Sequence, residues 1–134
     1  MTVEELYHTA DILIRVRASD IPTLFAEAVR GMSTVMDGGC EGGEMVEEID
    51  LRADDLEELL QDFLSELLFL SDVRGMVFCS SRVTVEGTTL HATLRGVPFD
   101  RTRHQGTEIK GVSYYGLQIV KEGESYVTDI LFDV

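Results

Sequence analysis

The chain has 134 residues, 44% of them hydrophobic, and its 25 acidic against 11 basic side chains leave a formal net charge of -14; that length fits one domain with a core that needs neither metal nor disulfide staples. A field of that sign repels phosphate backbones and anionic membranes, which disfavours unaided RNA or DNA binding and leaves cation recruitment, docking on a basic partner, or plain solubility. Cys40 and Cys79 lie far apart and form no CxxC pair, which suggests neither a zinc framework nor a disulfide scaffold and points to a reducing cytoplasm, while the two acids in residues 1–5 argue against a secretory leader and no apolar run approaches the ~20 residues that span a bilayer.

From Asp11 to Ala18, Ile12, Ile14 and Val16 alternate with Leu13, Arg15 and Arg17. This is the period-two pattern of a half-buried strand, with Asp11 on the more polar face. Ser19-Asp20-Ile21-Pro22 reads as a helix start, and Leu24, Phe25, Ala28, Val29, Met32, Val35 and Met36 then form one apolar stripe, read as core. The acidic, glycine-rich stretch Asp37-Gly38-Gly39-Cys40-Glu41-Gly42-Gly43 ends that helix in a flexible connector. Met45 to Arg52 gives a second strand, and Asp54-Asp55-Leu56-Glu57 supplies a capping box for a second helix. There Leu56, Leu59, Leu60, Phe63, Leu64, Leu67 and Leu68 recur at helical spacing as far as about Leu70.

Met76 to Val85 and Thr88 to Arg95 read as strands joined at Glu86-Gly87, with Leu90, Ala92 and Leu94 on one face. Arg101 to Thr107 is too polar for a core element and reads as a surface loop. It leads into a strand from about Ile109 to Lys121, on which the adjacent Tyr114 and Tyr115 point to opposite faces, one of them inward. Ser125 to Val134 forms the final strand. Two helices among six or seven strands, without regular βαβ alternation, predict an α+β fold: a single domain, residues 1–134, with the helices packed on a largely antiparallel sheet.

Nucleotide-binding loops, HExxH and nucleophile elbows are all missing from the sequence, which lowers the case for an autonomous enzyme. What remains is a set of polar residues at element ends: His8 and Asp11, His104 and Lys110, and Asp133 with the carboxylate of Val134. If the first and last strands are neighbours, Asp11, Asp133 and Val134 converge as hard oxygen ligands, which repel one another unless a cation or Lys110 compensates. Oxygen donors select calcium, magnesium or manganese over zinc. His8 and His104 are supporting candidates, able to orient a carboxylate or exchange a proton; a structural role at an element end is the simpler alternative. Aspartates also commonly terminate elements, and a plain surface lysine is the simpler reading of Lys110.

Taken together, His8-Thr9-Ala10-Asp11, Leu59-Leu60-Gln61-Asp62-Phe63-Leu64-Ser65-Glu66, His104-Gln105-Gly106-Thr107-Glu108-Ile109-Lys110-Gly111-Val112-Ser113-Tyr114 and Phe132-Asp133-Val134 resemble the archease family across essentially the whole chain. The resemblance implies a small cytoplasmic accessory protein, not itself an enzyme, that activates the RNA-splicing ligase RtcB in transfer-RNA splicing or RNA repair. It would promote guanylylation of the ligase histidine and multiple turnover, meeting RNA and GTP only through the ligase. The same resemblance implies a divalent-cation site at Asp11, Asp133 and Val134, and a lysine required for activation at Lys110. Where the family often has a Tyr-His pair this chain has Tyr114-Tyr115, so no role of that histidine carries over. Gly111, where Ala is common, adds local backbone freedom. Two other readings compete: a stand-alone metal-dependent hydrolase or nuclease, and a chaperone-like binding module.

Overall fold

The computed structural model describes residues 1–6 and 11–134, with side chains for 1–4 and 11–134. His8 therefore lies outside the described residues. The elements run β1 (Thr2–Leu6), β2 (Asp11–Ala18), α1 (Ile21–Asp37), β3 (Met45–Arg52), α2 (Leu56–Arg74), β4 (Met76–Glu86), β5 (Thr89–Pro98), β6 (Gly111–Val112), β7 (Ile119–Glu122) and β8 (Ser125–Asp133). They build the expected α+β domain, with all strand pairs antiparallel and the strands divided between two sheets. One sheet has the order β3-β5-β4. In the other, β1 and β2 lead to β8, whose far edge is taken by β7 along its first half and β6 at its end.

Both helices begin on an aspartate. Asp20 accepts the Thr23 N–H at 2.8 Å ahead of α1, and Pro22 sits in the first turn, where a missing N–H costs no helical bond. At α2 the cap is Asp55, which accepts the Glu58 N–H at 2.7 Å, one residue later than the expected box. That helix also runs a turn beyond Leu70, because nothing in Ser71-Asp72-Val73-Arg74 breaks it before the left-handed Gly75 at φ 60°. Phe25 and Phe63 stack at 6.2 Å where the helices meet. Around them Leu24, Met32, Leu60, Leu64 and Leu67 join Ile14, Val16, Ile130 and Phe132 of one sheet and Leu90, Ala92 and Leu94 of the other in one continuous core. No helix among the described residues is long and apolar enough to cross a membrane.

One strand was not anticipated, and three expectations need correction. Thr2–Leu6 is a strand, paired to β2 from Thr2↔Arg17 to Leu6↔Leu13, although its sequence is too short and acidic to declare itself. The strand expected over 109–121 is two short pieces, since Gly116 turns at φ 76° and the Leu117 N–H closes on the Tyr114 carbonyl at 3.1 Å. On that turn both tyrosines face solvent, Tyr114 at 48% and Tyr115 at 93% exposure, so neither is core. Finally, Cys40 and Cys79 form a disulfide, with Cα atoms 4.8 Å apart. Packing of α1 against β4 brings them together, and Cys79 is the extra residue of a β-bulge between the pairs Phe78↔Gly96 and Ser80↔Arg95. Cysteine spacing thus lends no support to a reducing compartment.

Candidate functional site

The register of β2 against β8 puts Asp11 directly opposite Asp133, and the next pair inward is Ile12↔Phe132. Cross-strand partners share a face, here the face of the Arg15–Asp129 ion pair at 2.7 Å and not that of buried Ile14, Ile130 and Phe132. On the other edge of β8, Gly111 pairs with Asp133, and the Lys110 N–H donates to the Asp133 carbonyl at 2.7 Å. Asp11, Asp133, Val134 and the Lys110 backbone are thereby gathered at one end of one sheet. Among the described residues no group of three or more His, Cys, Asp or Glu side chains is placed to hold a metal. The oxygen set at this strand end is instead two aspartates and the main-chain oxygen of Val134, whose chemistry fits a hard cation.

The segment 104–110 reaches that sheet end from the far end of α1. The Thr107 N–H donates to the Val35 carbonyl at 2.9 Å, and Gly106 lies so close to the backbone that an added Cβ would sit 2.4 Å from both the Val35 and Met36 carbonyl oxygens. His104 is 8% exposed, contrary to the expectation of a surface loop. Its burial follows from a tight turn around Asp100: the His104 N–H donates to the Asp100 carbonyl at 2.8 Å, and the Asp100 N–H donates to His104 Nδ1 at 2.8 Å. With Nδ1 accepting, the neutral ring carries its proton on Nε2. Thr102 donates twice to the Asp100 carboxylate, which holds that carboxyl below its ordinary range.

These residues wall a cleft of about 1030 Å³ lined by Asp37, Phe69, Phe99, Arg101, His104 and Lys110 among others. Lys110 thus ties its backbone to the main chain of Asp133 and also lines the cleft. Sequence reasoning missed Asp37, which it left in a flexible connector although the residue is 6% exposed. It also gave no role to Gln61, whose Nε2 donates to the Val112 carbonyl at 3.2 Å and ties α2 to β6. The loop between β6 and β7 is pinned to the start of the same helix, where the Ile119 N–H reaches Glu57 Oε2 at 3.0 Å. No local sequence signal marks any of these contacts.

Known proteins share the sequence pattern and the fold of this chain. An archease from Methanopyrus kandleri is 33% identical over 141 residues, covering 100% of each chain. The solution structure of Methanobacterium thermoautotrophicum protein 1598 shares the fold, with a TM-score of 0.79, 22% identity and 98% of both chains covered. A crystal structure from Thermotoga maritima, described as an archease and possible chaperone, superposes with a TM-score of 0.69 at 26% identity over 96% of this chain and 94% of that one. Residues 4–134 match the archease protein family (MTH1598/TM1083), and the chain belongs to that family.

Proposed function

We propose that this chain activates the RNA-splicing ligase RtcB through a divalent-cation site formed by Asp11, Asp133 and the main-chain oxygen of Val134, with Lys110 beside it. The observation that carries this reading is the direct pairing of Asp11 with Asp133, with the Lys110 N–H on the Asp133 carbonyl. Family membership supports it. The two aspartates would hold the ion as hard oxygen donors. A bound calcium, magnesium or manganese ion supplies charge neutralisation and alignment for in-line phosphoryl transfer. Lys110, exposed and in no ion pair among the described residues, offers a compact positive charge to the same phosphates. The chain makes no phosphodiester bond itself; it promotes guanylylation of the ligase histidine, and hence turnover in transfer-RNA splicing or RNA repair in the cytoplasm.

The test is guanylylation of RtcB by GTP with and without this chain. Asp133→Ala and Lys110→Ala should each abolish the stimulation while circular dichroism stays that of the wild type; stimulation at the wild-type level by both variants refutes the reading. The Thermotoga maritima neighbour, described as a possible chaperone, favours a second reading as a general binding module. That reading requires protection of unrelated aggregating proteins, independent of Asp133 and Lys110.

A further inference from the structure

The cleft beside Lys110 contains a buried acid for which ligase activation has no use. Asp37 is the last residue of α1 and is 6% exposed on the cleft wall. Among the described residues its carboxylate receives neither a hydrogen bond nor an ion pair, although Arg101 and Lys110 line the same cleft. A carboxylate partly withdrawn from water, with no protein donor, is less favourable in its charged form. Burial accordingly pushes the Asp37 carboxyl above its ordinary range, offset in part by the charge His104 carries when protonated.

Large apolar side chains border the cleft: Phe69 and Phe99 line it, and Val73 follows Phe69 by one helical turn at the end of α2. Phe69, Val73 and Phe99 are 58%, 60% and 50% exposed. Phe99 is drawn to the same place by its N–H bond to the Gly75 carbonyl at 2.7 Å. Clustered large apolar side chains rimmed by charge mark interaction surfaces, and a chain of net charge -14 complements a basic partner.

From the unpartnered Asp37 carboxylate, the exposed Phe69, Val73 and Phe99 and the acidic surface, we infer that this cleft docks the partner protein by taking up one of its arginine side chains. The guanidinium meets Asp37, and apolar neighbours on the partner cover the three exposed side chains. Arginine fits better than lysine, because its planar fork donates two parallel bonds to a carboxylate and its face stacks on a ring such as Phe99. Asp72 and Glu108 on the cleft wall offset the local charge of Arg101 and Lys110. The identity of the partner as the ligase rests on the activation proposed above.

Titration calorimetry with purified RtcB reads Kd for the wild type, Asp37→Asn, Phe69→Ser and, as a control in the exposed β7–β8 turn, Glu124→Ala, with guanylylation measured on the same samples. Asn keeps the shape of Asp37 and Phe69 is exposed, so the fold survives both cleft substitutions. Each should weaken Kd at least about tenfold, as loss of a central anchor does. Glu124→Ala should bind as the wild type, and added salt should weaken the wild type more steeply than Asp37→Asn. A wild-type Kd in both cleft variants, or no binding of the wild-type chain to the ligase, overturns the docking site. Binding that follows the expected pattern without any stimulation of guanylylation overturns the activation reading and leaves the docking site standing.

Discussion

Replacing Cys40 and Cys79 together by Ala removes a cross-link between residues 39 apart in sequence, joining the connector after α1 to the bulge of β4. A cross-link acts mainly by restricting the unfolded chain, and for a loop of this length the chain-entropy relation gives ~4 kcal/mol at 25 °C. The native geometry at the bulge has other support: Ser33 Oγ donates to the Phe78 carbonyl at 2.6 Å, and Met76, Val77 and Phe78 are buried. The folded state should therefore persist without the bond, and the loss should fall on the unfolded side. With a urea dependence of ~2 kcal/mol/M, the midpoint should drop by about 2 M. Urea titrations followed by circular dichroism would compare the oxidised wild type, the wild type reduced and alkylated, and the double variant. The two forms lacking the bond should agree with each other and match the oxidised spectrum before urea is added. A midpoint within about 0.5 M of the oxidised protein refutes the entropic account, for it would mean that the unfolded chain already holds these residues together.

Gly106→Ala should destabilise by about 2–4 kcal/mol, since its Cβ meets two backbone carbonyls and displaces the Thr107–Val35 hydrogen bond. Gly111→Ala meets nothing within 4 Å and should stay within ~0.5 kcal/mol of the wild type; equal thermal unfolding of the two variants would contradict the close approach at Gly106. Burial raises the folded Asp37 carboxyl above its ordinary 3.8, so the stability it contributes is full below that value and is lost as pH rises through the folded value. The unfolding free energy of Asp37→Asn relative to the wild type should therefore grow in the variant's favour from about pH 3.5 to pH 7, and a difference that does not change with pH would sink the assignment.

Elements whose pattern is dictated by the core were legible in the sequence. β3 spans the expected residues, the β4–β5 hairpin turns at Gly87-Thr88, one residue past the expected Glu86-Gly87, and Leu90, Ala92 and Leu94 are fully buried. The strand-end carboxylates were legible for a related reason: alternation along β2 and β8 fixes which residues end each strand, and antiparallel pairing of the two then brings Asp11 to Asp133. Contacts made only by tertiary packing were not legible. Cys40 and Cys79 meet because α1 lies on β4, and Asp37 and His104 are buried because a loop folds back over the end of α1. Their polar, glycine-rich surroundings carry the composition of exposed connectors, and composition reports the average fate of such segments rather than the fate of one that is packed down. The single strand expected over 109–121 failed for the opposite reason. Its β-favouring residues outweighed one glycine, yet Gly116 at φ 76° is enough to reverse the chain.

Lys110 is where the strand-end carboxylates and the cleft become one surface. Its peptide N–H is fixed to the Asp133 carbonyl, and three residues earlier the Thr107 N–H is fixed to the Val35 carbonyl, so the short run between them is held at both ends. Gly106 packs against the same backbone, leaving little room for that run to shift. A segment clamped in this way transmits position rather than a conformational change, since coupling by switching needs an element with two arrangements. A partner seated on Asp37 and Phe69 would accordingly meet Lys110, Asp133 and Asp11 at a separation set by the fold before it arrives. Pre-organisation of that kind lowers the entropic cost of bringing carboxylates to a reacting phosphate. Docking and activation should then be separable by mutation at their ends, Phe69 and Asp133, and inseparable at Gly106, where one methyl group displaces the segment that both share.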